Sequence, residues 1–259
     1  MRAVVPAVSH GFVPVLEPTA AASFVQAIDD EVGRWTKRDL FADFYTLGAA
    51  SYLDAVADLD GYTARAAATN PMLRARFGAL YDAVIAALAP SFGDCALHEP
   101  LGHPGFHIFG HRPRATNSLL TIAAMERLTA SIHTDRQFEP HHATWSSFGA
   151  ADLEHTMTFT LALELPHRGA GLCFWDDPSA VHSGDGDAYA DYVRDAFDFD
   201  ELLGVSAPAI IPYRLGQLFF FIGQQRHVIA PSWSLSPTDR RITLQGHGVC
   251  CDEIWRLYF

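Results

Sequence analysis

TMTFTLALEL, residues 156–165, alternates without a break. Met157, Phe159, Leu161, Leu163 and Leu165 fall on one side, and Thr158, Thr160, Ala162 and Glu164 on the other. Successive side chains of a strand point to opposite faces, so this period of two predicts a strand with one face in an apolar core. The same texture recurs in shorter runs at residues 105–110, 171–175, 210–213, 218–222, 226–229, 241–249 and 254–259, separated by Gly, Pro and Asp. Many short strands with turn residues between them indicate a sandwich or barrel rather than a doubly wound parallel sheet.

Before about residue 95 the period is helical. Phe24, Ile28 and Val32 lie four apart, on one face of a helix that Pro18-Thr19 can start. Residues 70–89 give a stronger pattern, with Asn70 as N-cap, Pro71 at the first helical position, and Leu73, Phe77, Leu80, Val84 and Leu88 as a continuous stripe ended by Pro90. Residues 40–57 read as a third helix. Residues 183–191 (SGDGDAYAD) read as a solvated acidic loop opening into a short helix at 189–197, since their spacing does not match a calcium-binding loop. The expected architecture is mainly β with α, one domain over residues 1–259: a helical N-terminal layer at 1–95 on a barrel-like core at 96–259.

Composition limits the function classes. With 18 Lys+Arg against 30 Asp+Glu, the net charge is −12, and such a chain repels phosphate backbones and anionic lipid. A small-molecule ligand is therefore expected, with neither nucleic acid nor membrane as partner. The longest apolar runs are far short of about 20 residues. No signal peptide is legible, and four cysteines without CxxC spacing read as thiols in a reducing cytoplasm. The 13 histidines make a metal or acid–base site worth seeking.

The nucleophile-elbow, phosphate-loop, dinucleotide and HExxH motifs are all absent. What remains is His133-Thr134-Asp135, the one His-x-Asp of the chain. On a strand both side chains reach the same face and one ion. His227, at the start of a strand after a Gly-containing turn, is the candidate third ligand. Two imidazoles and one carboxylate on one face leave positions open, the arrangement associated with non-haem Fe(II) oxygenases. Fourteen residues on, Arg241 and Thr243 share a strand face. There a guanidinium fork can hold a carboxylate and a hydroxyl can add a bond, while Arg240 points the other way.

Together His133-x-Asp135, His227 and Arg241-Ile-Thr243 resemble the Fe(II)/2-oxoglutarate-dependent oxygenases, over roughly residues 100–259. The resemblance implies a double-stranded β-helix (jelly-roll) core. It also implies Fe(II) on His133, Asp135 and His227, with 2-oxoglutarate on Arg241 and Thr243 and O2 as second cosubstrate. The stretches PGFHIF (104–109), RITLQGHG (241–248) and the terminal WRLYF are similar to the free amino-acid halogenase and hydroxylase branch. Halogenases of that branch carry Gly or Ala where this chain has Asp135, so the resemblance implies hydroxylation of a small polar metabolite such as a free amino acid. Three other readings stand beside it. They are a desaturase or cyclase of the same family on a natural-product or carrier-tethered substrate, a non-catalytic jelly-roll binder of metal and small ligand, and a hydrolytic zinc enzyme. Of the remaining residues, His107 reads first as a core histidine. Gln245 and His247 extend the Arg241 face, either lining a pocket or forming a core polar pair. His103, His141 and His142 read as loop residues, and Arg74 and Arg76 as solvated charges.

Overall fold

The fold is known from a computed structural model, which describes residues 8–49, 52–175, 188–197, 199 and 206–259. In chain order its strands are β1 His10–Pro14, β2 Thr36–Lys37, β3 Phe44–Leu47, β4 Cys95–Leu97, β5 Gly105–Phe109, β6 Thr129–His133, β7 Ala151–Glu164, β8 Gly171–Phe174, β9 Ala209–Pro212, β10 Gln217–Ile222, β11 His227–Ala230, β12 Arg241–Cys251 and β13 Ile254–Tyr258. The α-helices are α1 Pro18–Asp30, α2 Tyr52–Ala57, α3 Leu59–Phe92, α4 Leu119–Met125, α5 His142–Trp145 and α6 Ala188–Ala196. The chain is thus mainly β with helices.

Among the described residues nine strands form one sheet, in the order β1-β10-β7-β12-β5-β3-β2, with β13 on β12 and β4 on β13. Four form a second sheet, β6-β11-β8-β9. Every pairing is antiparallel except that of β13 with β4. At the centre, β12 pairs with β7 along one edge and shares its other edge between β5 and β13.

The alternation of β7 decides what each face of the large sheet meets. Met157, Phe159, Leu161 and Leu163 bury against Leu73, Phe77, Leu80, Val84 and Leu88 of α3, joined by Ile242 and Leu244 of β12. The opposite face turns toward the small sheet. Leu172, Phe174 and Ile211 of that sheet pack there with Phe219 and Phe221 of β10. Behind the small sheet, α6 contributes Tyr189, Ala190 and Val193 to a separate cluster with Cys173 and Val228. Residues 183–187 of the expected acidic loop lie outside the described residues.

The N-terminal third departs from the expected helical layer, because β1, β2 and β3 belong to the large sheet. Residues 40–57 are not one helix but strand β3 and then the short α2. The cause is long-range pairing: Phe44 lies opposite Phe109 and Thr46 opposite His107 on β5, which no local pattern reveals. Gly48 turns the chain after β3 at φ +131°, a conformation that disfavours a side chain, and its missing Cβ would stand 3.3 Å from Gly105 Cα.

The second difference lies in α3, which begins not at Asn70 but twelve residues earlier, where the Asp58 side chain accepts from Gly61 N. Both Pro71 and Pro90 lie inside it, and Gly93 ends it at φ +75°. A proline removes one hydrogen bond, but the buried stripe runs through it as Tyr62, Ala66, Asn70, Leu73 and Phe77, and that packing keeps the helix continuous. Asn70 is a mid-helix bridge rather than a cap. Its amide donates to Leu101 O at 2.8 Å and accepts from His103 N at 3.0 Å, pinning the approach to β5. No helix among the described residues is long and apolar enough to cross a membrane.

Candidate metal and ligand site

His133 ends β6 and His227 begins β11, and the two are direct partners across the ladder, with ring centroids 4.5 Å apart. Asp135 does not share a strand face with His133 as the spacing suggests. The strand stops at His133, and Asp135 lies in the irregular segment just beyond it. Thr158, on the inward face of β7, secures it from the facing sheet by donating to Asp135 Oδ2 at 2.8 Å.

The carboxylate stands 3.7 Å from His133 Nε2 and 3.6 Å from His227 Nε2, too far for hydrogen bonds. One donor atom from each of the three residues fits within 4.8 Å of the others. Gln225 O accepts from His227 Nδ1 at 3.0 Å, which leaves Nε2 as the bare nitrogen on the side of Asp135. Burial pushes the Asp135 carboxyl up, but the imidazoles of His227, His247 and His133 with the Thr158 hydroxyl outweigh it and hold it below the usual carboxylate range. Burial lowers His227, favouring its neutral form. Neutral imidazole nitrogen and an ionised carboxylate are the donor set of a divalent first-row metal, so the residues present fit such an ion.

These three residues open onto a cavity of about 380 Å³ between the sheets, a volume typical of small-molecule sites. One wall is the inward face of β12, bearing Arg241, Thr243, Gln245 and His247 in sequence. The side chain of Arg241 is 2 % exposed, and among the described residues no carboxylate pairs with it. Its Nη2 has no hydrogen-bond partner. Its guanidinium lies 4.2 Å over the Phe109 ring, which itself stacks on Phe44 at 4.0 Å. These three side chains run across β12, β5 and β3 in direct register. Arg240 points away, into ion pairs with Asp29 and Glu164. A buried cation without a counter-ion costs several kcal/mol, so Arg241 marks a place for an anionic group.

The structure therefore brings His133, Asp135, His227, Arg241 and Thr243 to one cavity. It also corrects His107, which reads from sequence as a core residue. Its neighbours Phe106 and Ile108 turn to the helices, and His107 faces the cavity with an unpartnered Nε2. Of the two readings open for Gln245 and His247, both residues line the cavity. Thr158, Thr160 and Tyr213 also line it, unassigned from sequence, although the polar side of β7 carries the signal for the two threonines. Phe44 and Thr46 were hidden by the helical reading of residues 40–57. His103 lies in the loop before β5 as expected but is buried, whereas His141 ends a buried 3-10 turn (Glu139–His141) and His142 opens α5; Arg74 and Arg76 carry half-exposed ion pairs.

No protein-family model matches the sequence, and no curated protein matches it. Among solved structures, the fold is similar to that of an N-substituted L-amino acid dioxygenase from Burkholderia ambifaria AMMD in complex with alpha-KG. The TM-score is 0.53 at 12 % identity, over 97 % of this chain and 87 % of that one. A second structure under the same enzyme description and source gives 0.49 at 11 % identity, over 97 % and 86 %. The epimerase SnoN in complex with Fe3+, alpha ketoglutarate and nogalamycin RO gives 0.43 at 13 % identity, over 94 % and 81 %. The last two are too distant to support an argument, and at 12 % identity the first speaks for the fold alone.

Proposed function

We propose that this chain is an Fe(II)/2-oxoglutarate-dependent dioxygenase that hydroxylates an unactivated C–H bond of a small polar metabolite, a free amino acid, on a jelly-roll core formed by the two facing sheets. The observation that carries this reading is the buried guanidinium of Arg241, without a carboxylate partner among the described residues, in the same cavity as His133, Asp135 and His227. A lone metal binder has no use for that cation, whereas a metal-chelating dicarboxylate does. Iron(II) with 2-oxoglutarate and O2 supplies an oxidant for unactivated C–H bonds and releases succinate and CO2.

The chain's own part is binding, orientation and exclusion of water. His133, Asp135 and His227 hold the metal from one side and leave the cavity side open. Arg241 takes the far carboxylate of 2-oxoglutarate through its planar fork, and Thr243 offers a hydroxyl on the same strand face. Phe44, Phe109 and Phe221 line the cavity and keep it apolar around these polar groups. Hydroxylation is preferred to halogenation because Asp135 supplies a carboxylate where a halide would need an open position.

The test is succinate release from 2-oxoglutarate with Fe(II) and O2 across the twenty standard amino acids. Release stimulated by at least one of them is expected in the wild type, with loss in His133→Ala and Asp135→Ala. Undiminished turnover in either variant refutes the ligand set. Metal binding with no 2-oxoglutarate consumed across the panel refutes the enzyme and favours a binding protein.

A further inference from the structure

We propose that His247 and Thr158 form a hydrogen-bond relay onto Asp135, which selects the oxygen offered to the metal and holds His247 as an acceptor facing the cavity. The relay deepens the metal-site reading above and rests on it. His247 and Thr158 are direct partners across β12 and β7. The Thr158 hydroxyl donates to Asp135 Oδ2 at 2.8 Å, and His247 Nδ1 lies 3.2 Å from the same hydroxyl oxygen. A hydroxyl has one proton, and here the ionised carboxylate receives it. The contact with His247 must then run the other way, with Nδ1–H donating to Thr158 Oγ1. A neutral imidazole protonated on Nδ1 leaves Nε2 bare.

Burial keeps water from competing: Asp135, Thr158 and His247 are each under 5 % exposed. Among the described residues Nε2 of His247 has no hydrogen-bond partner, and the residue lines the cavity. Its lone pair therefore faces ligand space.

Two consequences follow from this polarity. Because Oδ2 already accepts from Thr158, Oδ1 is the less encumbered oxygen: it stands 3.7 Å from His133 Nε2, while Oδ2 stands 3.6 Å from His227 Nε2. An ion taken by Oδ1 alone would keep a further coordination position open. At the other end, a bare Nε2 repels a carboxylate and takes a group that brings its own proton, an N–H or O–H. The inward face of β12 is thus divided, with the carboxylate site at Arg241 and a donor site at His247, and Thr243 and Gln245 between them. Thr158 and His247 are positioning residues.

Mn(II) alone is the probe, titrated into metal-free protein and read from the electron paramagnetic resonance of the free ion. Thr158→Val keeps the side-chain shape and removes the hydroxyl. It is expected to weaken Mn(II) binding about 10- to 100-fold, the usual cost of losing an outer-shell partner, and Thr158→Ser to restore it. In parallel, 15N resonances of histidine-labelled wild type should place the His247 proton on Nδ1. A purely structural role for Thr158 would move neither reading beyond a loss of stability. Mn(II) binding by Thr158→Val as tight as wild type overturns the relay, and so does a wild-type His247 protonated on Nε2. The tautomer alone decides the matter if Thr158→Val does not fold. Failure of the wild type to bind Mn(II) instead overturns the metal site, and the relay with it.

Discussion

Arg241→Met should make the metal-free protein more stable while removing its response to 2-oxoglutarate. In the wild type Arg241 is 2 % exposed and lacks an acidic partner among the described residues. Burial pulls its pKa down, the mark of an uncompensated charge. Desolvation of such a group costs several kcal/mol, offset in part by about 0.5–2 kcal/mol from the Phe109 face. Methionine keeps the apolar stem and discards the charge, for a net gain of about 1–3 kcal/mol. With an unfolding entropy of about 2.1 cal/mol/K per residue, that gain raises Tm by about 2–6 °C in a chain of this length. A ligand at 100 times its Kd stabilises the folded state by about 2.7 kcal/mol, so wild type with Zn(II) and 2-oxoglutarate should rise by about 5 °C over Zn(II) alone. The variant should not rise. Scanning fluorimetry of both proteins, with and without 2-oxoglutarate, reads the two effects separately. A variant less stable than wild type and still stabilised by 2-oxoglutarate would refute both the unpaired charge and the anchor.

Phe109→Leu removes the ring under the Arg241 guanidinium, 4.2 Å away. Loss of about 0.5–2 kcal/mol of cation–π attraction predicts a 2-oxoglutarate KM about 2- to 30-fold higher with kcat little changed, and an unchanged KM counts against the stack. The acid limb of stability should be set by buried neutral histidines. Burial depresses His107 to about 3 and His247 to about 4, below their unfolded value. The unfolded chain therefore binds protons first as pH falls below about 6.5. Each such histidine costs about 2 kcal/mol by pH 5, so urea unfolding of metal-free protein should show stability falling steadily from pH 7 to 5. A flat profile would mean that these imidazoles are hydrated or paired.

Legibility from sequence followed how local the cause was. The face assignment of β7 was readable because its two sides meet different surroundings, helices on one and the cavity on the other, and composition records that contrast. The meeting of His133, Asp135 and His227 was legible because a His-x-Asp with a distant strand-starting histidine is a restrictive pattern. β3 was not readable, since its strand character comes from pairing with β5, about 60 residues away. The start of α3 was missed because Asn70-Pro71 is locally a good helix start, while the stripe that overrides it needs a sheet to pack on. Asp135 reached its place without the strand geometry the His-x-Asp spacing suggested; the bond from Thr158, on another sheet, could not be read from residues 133–135. His107 and His247 were ambiguous because a cavity-lining histidine and a core histidine share the same alternating pattern.

The central position of β12 has a consequence for how the molecule comes to be folded. Its partners β5 and β7 are made some 80 to 140 residues earlier, and each must wait with one edge unpaired until residues 241–251 arrive between them. Pairing at such separations is slow, and an open apolar edge recruits other chains while it waits. The strand that carries Arg241 and His247 is thus also the one that closes the sheet. Slow cooling, low expression rates or chaperone supply should govern the yield of native protein more than any change at the surface, and a chain cut before β12 should be insoluble rather than merely inactive.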